Sequence, residues 1–275
     1  MIDKDLIPPA ELILKMMDRV YQYGMTTTSG GNMSIMDDRG DMWISPAGVD
    51  KGTLSERDIV CVKSDGQQDG IHEPSSEYPF HKAIYEKRPD VKAVLHAHPP
   101  ALVSFSIIRQ IPDITIIPQA KHICGSVGYA PYALPGSKEL GERIADKFAE
   151  GYDVVILENH GVVTAGGTLF NAFQRFETLE FCARIAIRAA SLGTPTSLSD
   201  RAFQLFEQKD NKLEEFQPNV PTTEERVLRR KICTMLRRAY DQQLVSSTEG
   251  TWSVRLDETS FIITPYGIDR KYLDP

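Results

Sequence analysis

The stretch that most limits how this chain can fold is residues 91–100, Val-Lys-Ala-Val-Leu-His-Ala-His-Pro-Pro. An apolar, β-type run ends there in two histidines two positions apart. Side chains on a strand alternate between faces, so positions i and i+2 share one. His96 and His98 therefore stand side by side at a strand end. Pro99 and Pro100 stop that strand, because proline cannot donate to a ladder. Neutral imidazole is a common ligand for Zn²⁺, and a catalytic zinc ion takes three protein ligands with one position left open. Two partly buried polar residues at a sheet end would leave the same tripeptide.

A third histidine changes the weighing. Residues 154–161, Val-Val-Ile-Leu-Glu-Asn-His-Gly, form another apolar strand pattern that ends at His160 before a glycine. Two strands of one sheet can bring His160 to the pair. A carboxylate would complete the set, and Glu77 follows Ser75 and Ser76 at a helix start predicted for 75–87. Serine is a good N-cap, and the orphan N–H groups of a first turn attract anions. The helix dipole alone also favours an acid there, so spacing leaves the role of Glu77 open. His81, one turn on, reads as a packed or hydrogen-bonded histidine, and His72 as a surface residue.

Five motifs now stand in order: Gly31-Asn32, Ser45-Pro46-Ala47-Gly48, Ser75-Ser76-Glu77, His96-Ala97-His98 and Asn159-His160-Gly161. Over residues 8–215 they resemble the class II aldolase/adducin family, most nearly its L-fuculose-phosphate and ribulose-phosphate aldolase branch. The resemblance implies an α/β fold of three αβα layers around a largely antiparallel central sheet. It implies a metal set of His96, His98, His160 and Glu77, with Zn²⁺ as the ion and Mn²⁺ or Co²⁺ as alternatives. Glu77 would be the catalytic acid/base, and the ion would polarise a substrate carbonyl and stabilise an enediolate. A phosphate site would use Gly31, Asn32, Ala47, Gly48, Ser75 and Ser76. Loop amides and two serine hydroxyls can hold an anion without a lysine. The implied assembly is a cyclic homotetramer.

The reaction this resemblance implies is aldolase (lyase) cleavage or formation of a C–C bond in a small sugar phosphate or related aldol. Epimerisation, dehydration and decarboxylation are the alternatives on the same site, and an adducin-like scaffold is the non-catalytic one. Two departures bear on the choice. Ala47 stands where the aldolase branch has a threonine. Ile116 stands where fuculose-phosphate aldolases have a catalytic tyrosine, and Lys121-His122 replaces a glycine-rich stretch.

Composition sets outer limits. A net charge of −7 argues against nucleic acid as a partner, which would want a basic face. A local anion site stays open, since a metal and backbone amides can make one positive. Cys61, Cys124, Cys182 and Cys233 are scattered with no Cys-x-x-Cys pair, which removes zinc-ribbon and thioredoxin readings and suits free cytosolic thiols. No apolar run approaches the ~20 residues of a membrane span, and residues 1–5 carry no signal-peptide pattern. The expected compartment is the cytoplasm.

Elsewhere the pattern predicts helices from Pro9 to Gly24, over 100–108, over 137–150 capped by Ser137, over 168–191 and over 199–208. Strands are expected from Met33, over 42–44, 58–63 and 114–117, with 119–129 irregular and 209–223 a linker. The tail then repeats the start at a fixed offset of 219. Met16, Arg19 and Tyr21 meet Met235, Arg238 and Tyr240, and Ile44, Pro46, Gly48 and Asp50 meet Ile263, Pro265, Gly267 and Asp269. Self-similarity without gaps points to duplication. The expected organisation is an aldolase-type domain over 1–215, then a linker and a truncated second copy of its first segment over 216–275. Thr251 replaces Asn32 in that copy, which is not expected to bind metal by itself.

Overall fold

The computed structural model describes residues 7–208 and 220–275. Most of the linker expected at 209–223 and the N-terminal residues 1–5 lie outside the described residues. The chain divides into two compact units, Ile2–Ser199 and Asp200–Pro275.

The first unit runs α1 (Pro9–Gln22), β1 (Asn32–Met36), β2 (Met42–Ile44), β3 (Val60–Val62), β4 (Gln68–Asp69), α2 (Tyr78–Lys87), β5 (Ala93–Ala97) and α3 (Pro100–Ile107). It continues α4 (Pro118–Cys124), β6 (Val127–Ala130), α5 (Lys138–Ala149), β7 (Val154–Leu157), β8 (Gly161–Gly166) and α6 (Leu169–Leu192). The eight strands form one sheet in the order β4-β3-β2-β1-β5-β8-β7-β6. Every neighbouring pair is antiparallel except β6 and β7.

Two apolar layers cover this sheet, and the alternation of strand residues builds both. Ala93, Leu95 and Ala97 of β5 pack in one cluster with Ile13 and Met17 of α1, Leu102 of α3 and Phe173 and Phe176 of α6. Val94 points the other way, into a cluster with Phe80 and Ile84 of α2 and Ile144 and Phe148 of α5. β7 alternates in the same manner, with Val154 and Ile156 on the first side and Val155 and Leu157 on the second. Helices therefore lie on both faces of a mostly antiparallel sheet, the three-layer α/β arrangement that the motifs implied. Strand β5 is buried on both faces, which explains why its sequence is an unbroken apolar run up to the histidines.

Three local expectations are corrected. Ile114–Ile116 is a single 3-10 turn and not a strand. The Asp113 side chain accepts the Thr115 N–H at 2.8 Å, and this cap outweighs the β preference of the isoleucines. The segment expected to be irregular at 119–129 forms α4, with Pro118 in its first turn, and most of β6. The parallel pairing of β6 with β7 is a long-range contact, invisible to local pattern. Serine does not cap α2: Glu77 holds the N-cap position without a side-chain cap. Ser75 Oγ instead accepts the Glu77 N–H at 3.3 Å.

The second unit contains α7 (Asp200–Glu207), α8 (Thr223–Asp241) and the antiparallel pair β9 (Ser253–Arg255) and β10 (Phe261–Ile263). Thr222 caps α8 by accepting the Glu225 N–H at 3.2 Å. From there the bonds match those of the first unit, position by position at an offset of 219. Lys51 N donates to Thr28 O at 2.8 Å, and Arg270 N to Ser247 O at 2.8 Å. Met33 N donates to Ser45 Oγ at 3.1 Å, and Trp252 N to Thr264 Oγ1 at 3.2 Å. Lys51 Nζ reaches Pro46 O at 2.7 Å, and Arg270 Nη1 reaches Pro265 O at 2.7 Å. Gly31 and Gly250 both take a left-handed conformation, with φ of 74° and 78°.

Candidate active site

Strand β5 carries His96 and His98 to one end of the sheet. His96 is opposite Asn32 of β1 and opposite Val163 of β8. His160 does not sit on a strand but in the turn between β7 and β8, after Asn159 at φ 55°. Asparagine tolerates that region better than most residues. Gly161 then passes so close to β5 that an added Cβ would lie 2.5 Å from Ala97 O and 2.7 Å from His98 Cδ2. The glycine after His160 is thus what lets the turn bring that imidazole against the pair.

The three rings meet. Their centroids are 4.8 Å apart for His96 and His98, 4.9 Å for His96 and His160, and 5.0 Å for His98 and His160. One ligand nitrogen from each falls within 4.8 Å of the others, so this cluster could hold a metal ion. The tautomer of His96 is set by its surroundings: Nδ1 donates to Val162 O at 3.0 Å, which leaves Nε2 as a bare lone pair. That nitrogen lies 3.1 Å from His98 Nε2. Burial pushes all three histidines below their ordinary pKa, His96 most of all, and neighbouring histidines add to the fall for His96 and His160. Neutral rings with converging lone pairs are the protonation state a cation needs.

Glu77, at the start of α2, stands beside the cluster. Its Oε2 is 3.2 Å from His96 Nε2, and its Oε1 is 3.6 Å from His160 Nε2. Asn32 Nδ2 donates to Oε2 at 2.8 Å. Glu77 Oε1 and His160 Nδ1 are buried and make no hydrogen bond. A buried polar atom without a partner is costly to fold around, and a divalent cation among these groups would offset that cost. The donor set, three imidazoles and one carboxylate, suits Zn²⁺ and neighbouring divalent ions.

A cavity of about 230 Å³ opens from this cluster. Glu77, His98 and His160 form one wall, while His96 lies deeper and is fully buried. Gly31, Asn32, Ala47, Gly48, Ser75 and Ser76 all line the rest, so the structure brings the six predicted anion-site residues to one hollow. Lys51 also lines it, and sequence reasoning passed it over. The residue is 3% exposed, its ammonium is spent on Pro46 O, and burial lowers its pKa. The signal that could have found it is the repeat, since a second basic residue, Arg270, stands at the matching position. Gly30, next to Gly31 in the same glycine-rich loop, also lines the wall.

The other histidines divide. His81 is fully buried and hydrogen bonded, as expected. His72 is not a free surface group: its Nε2 lies 2.7 Å from Asp58 Oδ1. The four cysteines are buried free thiols.

The class II aldolase and adducin N-terminal domain family matches residues 11–187. The chain belongs to that family. It is 31% identical over 179 residues to a 3-oxo-tetronate 4-phosphate decarboxylase of Haemophilus influenzae, across 64% of this chain and 85% of that protein. It is 31% identical over 194 residues to a 5-deoxy-D-ribulose 1-phosphate aldolase of Bacillus thuringiensis, across 70% and 90%. A solved L-fuculose 1-phosphate aldolase matches with a TM-score of 0.65 and 32% identity, over 76% of this chain and 97% of that one. Among the described residues no helix is long and apolar enough to cross a membrane.

Proposed function

We propose that this protein is a metal-dependent class II aldolase-type lyase acting on a small sugar phosphate or related aldol. One observation carries the reading: three neutral imidazoles converge beside a carboxylate, at the wall of a cavity rimmed by amides and hydroxyls. His96, His98 and His160 would hold the ion, with Glu77 able to serve as a fourth ligand, and Zn²⁺ is the favoured occupant. A bound ion would supply Lewis acidity toward a substrate carbonyl.

The chain's own groups do the rest. Gly31, Asn32, Ala47, Gly48, Ser75 and Ser76 hold the phosphate end through backbone N–H groups and hydroxyls. Glu77 exchanges a proton with the carbon next to the carbonyl. Its Oε1 is the atom for this, because Oε2 is already held by Asn32. Decarboxylation by the same site is the second reading, favoured by relatives named as 3-oxo-tetronate 4-phosphate decarboxylases at 30–33% identity. A homotetramer in the cytoplasm is the assembly and compartment that fit such an enzyme. Residues 216–275 are read as a linker and a second copy of the first helix, loop and hairpin, after a catalytic domain over 1–215. The repeated hydrogen bonds support that reading.

Metal analysis with product analysis tests the proposal. The purified chain should hold one divalent ion, and His96→Ala should lose both the ion and activity. An aldolase releases two carbon fragments from its substrate, whereas a decarboxylase releases CO₂. A chain without stoichiometric metal would instead be a scaffold.

A further inference from the structure

Behind Glu77 lies a row of buried polar groups of which the mechanism above uses only Asn32. Asn32 Nδ2 donates to Glu77 Oε2 at 2.8 Å. Asn32 Oδ1 is 2.5 Å from His81 Nε2, and His81 Nδ1 is 2.7 Å from Ser34 Oγ. Ser34 Oγ is in turn 2.7 Å from Tyr85 Oη. The row is built by two periodicities meeting. Glu77, His81 and Tyr85 are spaced by four on α2, and Asn32 and Ser34 by two on β1, so one helical stripe faces one side of one strand. All five residues are buried.

The direction of every bond follows from chemistry. A carboxylate only accepts, so the amide nitrogen of Asn32 must face Glu77. That turns the Asn32 carbonyl toward His81, and Nε2 must carry the ring proton. Burial holds His81 well below its ordinary pKa, so the ring is neutral and Nδ1 is bare. Ser34 must then donate to Nδ1 and accept from the Tyr85 hydroxyl. Four hydrogen bonds run one way, from Tyr85 to Glu77.

We propose that this one-directional chain positions Glu77, with His81 as the positioning residue that fixes its direction; this rests on reading Glu77 as the acid/base. The chain pins Oε2 and leaves Oε1 free toward the imidazoles. Bonds aligned head to tail polarise one another, which strengthens the hold on Oε2. A reversed His81 tautomer would set its bare Nε2 against the Asn32 carbonyl oxygen, two acceptors face to face.

Nitrogen-15 NMR of the metal-loaded full chain reads the tautomer directly. The neutral Nε2–H form of His81 is expected at neutral pH. An Nδ1–H or doubly protonated ring overturns the proposal. Kinetics supply the second readout. His81→Phe keeps a ring to stack on Phe80 and removes both bonds. It should lower kcat about 10- to 100-fold with KM changed less than about threefold and metal content intact. Tyr85→Phe removes only the terminal donor and should lower kcat about two- to fivefold. Loss of the ion in these variants, or an unchanged kcat in both, overturns the proposal. If His81→Phe does not fold, Tyr85→Phe decides. Glu77→Gln keeps the two failures apart. Full activity in that variant sinks the acid/base reading, whereas a wrong His81 tautomer, measured without substrate, sinks the chain alone.

Discussion

Residues 9–52 and 228–271 trace one helix–loop–hairpin path with many matching bonds, yet only the first is fitted for chemistry. Both end their helix in the same way: Met25 N reaches Val20 O at 2.9 Å, and Leu244 N reaches Ala239 O at 3.0 Å. Both tie loop to turn through a basic side chain, Lys51 or Arg270. The differences lie elsewhere. Asn32, which holds Glu77, is matched by Thr251, and Gly30 by Glu249. Met42 and Ile44 are buried under α2 and α5, whereas their counterparts Phe261 and Ile263 are 62% and 50% exposed. The comparison teaches that the loop frame stands without catalytic residues. Chemistry is added by a few side chains on it, and the core by what the rest of the unit lays across it.

The largest effect should separate the two hairpins by burial. Ile44→Ser should destabilise the protein by about 3–4 kcal/mol, as a large-to-small polar change in a packed core does. Ile263→Ser should change stability by less than about 0.5 kcal/mol, and urea unfolding measures both. Equal effects would break the comparison.

Exchange of one loop residue sharpens it. A Cβ on Gly30 would lie 2.8 Å from His98 Nδ1 and 2.8 Å from Thr27 Oγ1. Gly30→Glu, which installs the residue of the second loop, should cut kcat/KM about 100-fold through crowding and like charge at an anion site. Glu249→Gly should leave kcat/KM unchanged.

The two segments should also differ in their response to acid. All six histidines lie before residue 161. Unfolded histidine gains a proton near pH 6.5. Folded His81, its pKa held low by burial, gains one only at lower pH. The unfolded state therefore binds more protons as pH falls below about 6.5. His81 stabilises fully above that value and loses about 1.4 kcal/mol per pH unit below it. Unfolding of the metal-free chain followed at Trp43 should show this slope. His81→Phe should remove one proton's share of that slope and leave the part due to His96, His98 and His160, whose pKa values burial also lowers. The signal of Trp252 should show no such slope of its own.

The smallest effect concerns the basic tie. Lys51→Met leaves the Pro46 carbonyl without its donor and should cost about 1 kcal/mol. Lys51→Arg, with the side chain that does the same work in the second segment, should stay within about 0.5 kcal/mol. Thermal melts distinguish the two.

Much of the site was legible because its signals are local. A strand ending in His-x-His and a second ending in Asn-His-Gly each announce themselves within ten residues. Their convergence followed once both were placed in one sheet. The layer architecture followed from the family resemblance that the motifs carry. What escaped was non-local. Strand β6 exists because β7 pairs with it, and the 3-10 turn at Ile114–Ile116 exists because one aspartate caps it. Lys51 escaped because a lysine in a polar turn resembles any surface lysine until its burial is known. The row behind Glu77 was half visible: His81 read as a bonded histidine, but its partners on β1 lie more than forty positions away.

The placement of His160 in the β7–β8 turn has a consequence for how the protein comes apart. His96 and His98 are neighbours on any chain, folded or not, but nothing nearby in sequence can deliver the third imidazole. It arrives only when β8 closes along β5, across a loop of some sixty residues. An ion bridging all three would therefore act late in assembly and slow strand separation, so its signature belongs in the unfolding rate more than in the refolding rate.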